Sequence, residues 1–220
     1  MSILISSIYY SPVKSLSFQN VESCGIKKDL GILNDRKFAF SRNIDVDKVQ
    51  LIEKNAKERK LNNFLTLKNS PVLNKYNFTY KDNKLTLVLD SKELITISAD
   101  NIEQKSLLIN KLVELESSLI KPVFLIQNNE FPFFDTSHSD KVFNSISLIN
   151  INSIEDFAKK IEEKVEFQRF RGNFYVEGIE AWEERNWIGK TIEINNVFFK
   201  VEKNIPRCVA INLKPKTDDK

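Results

Sequence analysis

Cys208 has the most direct chemical use in this 220-residue chain, because in Ile205-Pro206-Arg207-Cys208-Val209 a guanidinium adjoins a sulfhydryl. Such a neighbour favours the thiolate, the form that attacks electrophiles and ligates metals. A buried structural cysteine, acting as a small hydrophobe, explains the same residue. Upstream, Arg169 and Arg171 alternate in the run RFRGN, and an extended run would point both to one face, where they could clamp an anion. Ion pairs with nearby glutamates explain them equally well. Tyr10-Ser11-Pro12-Val13-Lys14-Ser15-Leu16 sets a lysine and hydroxyls on a proline-stiffened loop, and Asp35-Arg36 reads as the opening of a strand. Each is also compatible with an ordinary surface turn. Asp135 and His138 stand in the polar and aromatic loop FPFFDTSHSDKVFN, either lining a substrate mouth or simply solvated.

Composition removes most other chemistries. With one histidine, two cysteines and no C-x-x-C pair, there is no tetrahedral zinc site and no four-thiolate iron–sulfur site. G-x-x-x-x-G-K-[ST], G-x-G-x-x-G and G-x-S-x-G are all missing, so phosphate-loop, dinucleotide and hydrolase-elbow chemistry lack their signatures. A net charge of +3, with lysines interspersed among acids, does not favour nucleic acid as a partner. No stretch reaches the roughly 18 apolar residues that span a bilayer, and the start MSILISSIYY lacks a basic region and a cleavage site. The expectation is a cytoplasmic protein without a membrane partner, in which Cys24 and Cys208 stay reduced.

The elements that must position these residues are mostly strands. ILISSIYY, FQNVESCGIKK, RKFAFSR, KLTLVLD and KELITIS are rich in β-branched and aromatic residues, as are KPVFLIQ, SISLINI, NFYVEG, KTIEIN and VFFKVEK later on. Asn195-Asn196 reads as a two-residue hairpin turn, since Asn tolerates positive φ. A helix is expected from Asp100 to about Leu119, with Asp100 and Glu103 as a capping box and Ile102, Leu108, Leu112, Leu115 and Leu119 as its buried stripe. A second is expected to start near Ser153, with Asp156 as its capping partner, and to bury Ile154, Phe157, Ala158 and Ile161. With 41% apolar residues the chain can build a real core. The organisation expected is a β-rich lobe over residues 1–96 and a β-barrel-like lobe with short helices over residues 97–220.

The order of these pieces adds more than any one of them. YSPVKSL, GILNDRKFAF, SLININSIEDF, RFRGNFYVEG, EAWEERNWIGKTIEI and PRCVAINLKPKTD together resemble the MOSC family (molybdenum-cofactor sulfurase C-terminal domain) with its N-terminal β-barrel domain, over nearly the whole chain. The set looks most like the branch containing the mitochondrial amidoxime-reducing component and bacterial reductases of N-hydroxylated bases. The resemblance implies a mainly β fold with α (α+β), built from a MOSC-type β-barrel lobe and the N-terminal β-rich lobe.

It also implies a site. Cys208 falls where the family's metal-binding cysteine stands and would be both catalytic residue and ligand to the molybdenum of a molybdenum cofactor (Mo-molybdopterin), a soft metal centre suited to a thiolate. Lys14, Ser15 and Arg36 would face that cofactor from one lobe, and Arg171, Asn173 and Arg207 from the other. Ser145 aligns with a cofactor-contacting serine stretch. The activity implied is a molybdenum-dependent oxidoreductase that reduces small N-hydroxylated or N-oxygenated substrates, the oxygen passing to the reduced metal. A separate cytochrome- or ferredoxin-type electron donor would be required, since the chain has no cysteines for an iron–sulfur domain. It also lacks the pyridoxal-phosphate-dependent desulfurase portion of full cofactor sulfurases. Similar proteins continue beyond PKTD, so a C-terminally incomplete barrel is expected. The alternative is a non-catalytic carrier, in which Cys208 holds persulfide sulfur or the cofactor for another enzyme; a remnant that binds nothing is the third reading.

Overall fold

The apolar, β-branched N-terminus forms β1 (Leu4–Tyr10), which turns through the Pro12 loop into β2 (Gln19–Val21). A computed structural model of the chain describes residues 3–16, 18–134 and 145–217. Two short pairs of residues, β3 (Ile26–Lys27) and β4 (Gly31–Ile32), precede β5 (Phe38–Arg42) and α1 (Val46–Lys54), a helix that the sequence reading did not mark. Three hairpin-linked strands follow, β6 (Tyr76–Lys81), β7 (Lys84–Leu89) and β8 (Lys92–Ser98), and then α2 (Ile102–Leu115) and β9 (Val123–Gln127). The remainder comprises β10 (Leu148–Asn150), running directly into α3 (Ile151–Ile161), then β11 (Phe174–Glu177) and the hairpin β12 (Thr191–Ile194) and β13 (Val197–Lys200).

These strands make several small open sheets: β10-β11-β1-β2, β6-β7-β8 and the pairs β5-β9, β3-β4 and β12-β13. The expected β-barrel is therefore corrected to a mixed α+β fold in which, among the described residues, no sheet closes on itself. Closure requires the first and last strands of one sheet to bond each other. Here β10 and β2 end the largest sheet as edges, and strands of two to seven residues are too short to wrap far. Two sheets join residues from either side of position 96, since β1 pairs antiparallel with β11 and β5 with β9.

The principal core lies between the β6-β7-β8 sheet, β5 and α2, with Phe38, Phe40, Phe78, Leu85, Leu87, Leu108 and Leu112 fully buried. The stripe read for α2 holds at Leu108 and Leu112 but fails at Ile102, which is 79% exposed. Asp100 does not cap this helix. Its carboxylate accepts from Asn83 and Gln127 at 2.8 Å, so Asn101 takes the cap instead, accepting from the Gln104 amide. The start of α3 shifts likewise. Ser153 lies inside the helix, donating to Glu184 at 2.8 Å and accepting from the Trp182 amide at 2.8 Å, while Asn150 caps the Asn152 amide. Ile154 is buried as expected, but Phe157 and Ile161 are exposed. Among the described residues no helix is long and apolar enough to cross a membrane.

Candidate functional site

The site is built on one buried polar frame. Asp35, 2% exposed, accepts from the Ser11 amide at 2.8 Å through Oδ1, while Oδ2 pairs with the Arg36 guanidinium and accepts from Asn173 Nδ2 at 3.3 Å. Asn173, 1% exposed, spends its remaining capacity on the backbone and on Ser147. Its Oδ1 accepts from the Ser147 amide and hydroxyl at 3.1 and 2.9 Å, and its Nδ2 also donates to Tyr9 O at 3.1 Å. Loops at residues 9–11, 35–36, 147 and 171–173 are thereby held against one another. Buried polar groups are satisfied in this way because an open one is costly.

Arg171 leaves this frame in a left-handed conformation, φ 51°, as the cap of a 3-10 turn over Phe167–Phe170. The run RFRGN is consequently a turn and not a strand, and the expected pairing of Arg169 and Arg171 on one face is corrected. Arg169 turns the other way. It bonds Glu166 at 2.7 Å and donates to the carbonyls of Ile211 and Asn212 at 3.4 and 2.8 Å. Those carbonyls belong to the 3-10 turn Val209–Asn212, whose leading residue is Cys208. Leu213 buries into the main core, and Asn74 donates to the carbonyls of Lys214 and Thr217. Cys208 is thus an exposed free thiol on a segment tied down on its C-terminal side.

Two arginines, Arg171 and Arg207, interact electrostatically with this thiol, and both feel Arg36 as well. The Arg171 guanidinium lies 4.5 Å from the centre of the Phe18 ring. Burial first, and Arg36 second, push its pKa down to about 9, while Tyr175, Asp35 and Cys208 pull it up. It therefore keeps its proton at neutral pH. Arg207 is lowered by burial above all; Arg36 again repels it, and Tyr175 and Cys208 draw it upward. Among the described residues Arg207, half-buried, makes no hydrogen bond or ion pair, whereas Arg36 is committed to Asp35 and packs on the Phe134 ring at 5.0 Å. Tyr175, pushed up to about 12 chiefly by burial, stays neutral; its hydroxyl accepts from the Gly172 amide at 2.9 Å and donates to Phe167 O at 3.1 Å.

Of the residues expected at the site, Cys208, Arg36, Arg171 and Arg207 come together. Lys14 is buried, its ammonium donating to Phe133 O at 2.9 Å above the Phe64 ring. Ser15 sits at φ 62° in the tight turn between Val13 and Leu16, and Ser145 is half-buried ahead of β10. Asn173 is framework. Asp135 and His138 lie outside the described residues. The sequence reading missed Asp35 as the organising carboxylate, and also Ser11, Ser147 and Tyr175; the alternation of Ser145 and Ser147 was the one available signal. A surface concavity of about 480 Å³ lined by Asn43, Ile44, Asp45, Lys48 and Pro122 contains none of the expected residues.

The fit to a molybdenum cofactor fails on the donor set. Among the described residues no group of three or more His, Cys, Asp or Glu side chains is positioned to hold a metal ion. Asn173 has no capacity to spare, Lys14 is held by Phe133, and Arg36 by Asp35. A Cys208-ligated molybdenum centre is accordingly not supported, and the expected Mo-molybdopterin and the molybdenum-dependent oxidoreductase fall with it.

Comparison with known proteins agrees on the domain and stops there. Over 92 residues the chain is 34% identical to mitochondrial amidoxime reducing component 2 of Rattus norvegicus, a match covering 42% of this chain and 25% of that protein. The chain therefore spans about a quarter of the length of the curated relative it matches. Residues 135–220, which include the Arg171, Arg207 and Cys208 cluster, match the MOSC domain family, so the chain carries a MOSC-domain region over that span.

Proposed function

We propose that this chain is a non-catalytic sulfur carrier, in which Cys208 holds sulfane sulfur as a persulfide and delivers it to an acceptor enzyme. The observation that carries the reading is an exposed thiol on an anchored turn within electrostatic reach of the guanidinium groups of Arg171 and Arg207. A carrier needs its sulfur reachable by two successive partners, which exposure provides. A persulfide anion is also negatively charged, and guanidinium groups are suited to pair with such an anion.

Loading is an exchange at sulfur. The Cys208 thiolate attacks the outer sulfur of a donor persulfide, an S–S bond to Cys208 forms, the donor's S–S bond breaks, and the donor leaves as its thiolate. Delivery repeats the exchange with an acceptor thiolate and returns Cys208, so no external oxidant or reductant is consumed. Both cysteines are free thiols, as a carrier in a reducing cytoplasmic compartment requires. Kinship to the amidoxime-reducing-component branch in particular belongs to the same proposal, supported by the 92-residue match.

The test is incubation of the reduced chain with inorganic polysulfide, followed by intact mass and peptide mapping. The expected result is a gain of one sulfur atom at Cys208, released by cyanide, lost in Cys208→Ser and kept in Cys24→Ser. Labelling of Cys24 alone, or of neither cysteine, overturns the reading and leaves a chain that binds nothing at this cluster.

A further inference from the structure

We infer that residues 131–134 form a strap that closes over the Lys14 ammonium, is latched by the Arg59 guanidinium, and opens as a local unit while the main core stays folded. The inference is independent of the carrier reading. The strap, Phe131-Pro132-Phe133-Phe134, belongs to no helix or sheet. The Asn128 side chain turns the chain into it, accepting from the Glu130 and Phe131 amides at 2.9 and 2.7 Å. Beyond that turn it is held from three sides. Arg59 donates to Phe131 O and Pro132 O at 2.6 and 3.1 Å, Lys14 donates to Phe133 O at 2.9 Å, and the Phe133 amide donates to Arg36 O at 2.8 Å.

Arg59 is the latch because it grips both the strap and the body. Its other donors go to Ile52 O and Glu53 O at 2.8 and 3.1 Å, in the last turn of α1, where carbonyls lack helical partners and a cation is favoured. The guanidinium also packs 4.0 Å from the centre of the Phe133 ring. That ring enters the small cluster of Ala39, Val49, Ile52, Phe64 and Ile126, which is separate from the main core.

The closed strap leaves Lys14 4% and Arg59 5% exposed. Taking full charges out of water is costly, and every hydrogen bond that Arg59 receives in return ends on a neutral main-chain carbonyl. Burial draws its pKa down to about 10, with Glu53 offsetting part of the shift. Opening returns both cations to water and withdraws one ring from a small cluster. Segments with few buried apolar contacts and no ladder open below the free energy of global unfolding. Since the Phe134 ring covers Arg36 at 5.0 Å, the same motion bares Lys14 and Arg36 together. The strap thus gates access to two cations beside the Asp35 frame.

The experiment reads hydrogen exchange by mass spectrometry on the full chain, together with acetylation of its lysines by an N-hydroxysuccinimide ester. In the parent, the Phe131 and Phe133 amides should be at least about tenfold less protected than those of Leu108 and Leu112 in α2, and Lys14 acetylation should follow the strap. Arg59→Met, which keeps the length of the side chain without its donors, should lower strap protection and speed Lys14 acetylation by about tenfold, the scale of lost charge-assisted bonds. Protection in α2 should stay unchanged, and Arg59→Lys should fall between. Lys14 acetylation in step with α2 exchange in the parent overturns the inference, whatever the variants do. Equal strap protection in the parent and Arg59→Met overturns the latch, as does a loss in α2 as large as that in the strap.

Discussion

Asn173 donates its side-chain amide to the Asp35 carboxylate at 3.3 Å, across 138 positions of sequence and with both groups buried. The bond joins the loop that carries Arg36 to the one that carries Arg171. Asp35→Ala and Asn173→Ala should each destabilise the chain by about 2 kcal/mol, the scale of a buried partner left open. The double variant should lose clearly less than the sum, because the second removal orphans nothing new. Urea unfolding of the four proteins measures this, and strict additivity would show that the pair is not one unit.

Gly172 lies against Ile149 so closely that an added Cβ would stand 2.5 Å from Ile149 Cδ1. Gly172→Ala should therefore cost about 1–3 kcal/mol through overpacking. Ile149→Ala in the same chain, which removes the clashing atoms, should recover part of that cost relative to Ile149→Ala alone. Melting curves that show no recovery would point to the backbone and not to the contact.

Arg169 holds the Cys208 segment through two carbonyls and is itself held by Glu166. Arg169→Gln should loosen that segment locally, with little change in global unfolding. Hydrogen exchange read by mass spectrometry should show faster exchange over residues 207–213 and unchanged rates in α2. Equal exchange in parent and variant would remove Arg169 as the anchor.

Cys24 is half-buried, and burial first, then Asp35, pushes its thiol pKa up. The folded chain therefore holds this proton more tightly than the unfolded chain. The resulting stability is complete below the titration of an unfolded thiol and is lost as pH rises through the raised folded value. In Cys208→Ser, alkylation of Cys24 at about pH 8 to 9 should lag that of the same cysteine in urea, beyond what reduced access explains, with its profile displaced to higher pH. Superimposable pH profiles in the two states would contradict the shift.

Local structure was legible where a few neighbouring residues decide it. Asn195 and Asn196 take φ 49° and 62°, with Ile194 facing Val197 across the hairpin, as two residues tolerant of positive φ require. Most strands were readable from β-branched runs for the same reason. The helix caps slipped by a residue or more because Asp100 and Ser153 were claimed by distant partners, Gln127 with Asn83, and Glu184 with Trp182. RFRGN looked extended because alternation alone does not reveal the carbonyls of Ile211 and Asn212 that Arg169 reaches.

By itself the sequence determined the strand-rich composition, the hairpin turn, the buried faces at Leu108, Leu112 and Ile154, and a cysteine beside an arginine near the end of the chain. Only the tertiary structure decided that the sheets of the described residues stay open, that Lys14 and Asn173 serve the frame, and that Arg171 and Arg207 come within electrostatic reach of Cys208. The reason is physical. Turns and amphipathic faces follow from residues a few positions apart, whereas the partner that satisfies a buried polar group is chosen among all groups the folded chain brings within reach.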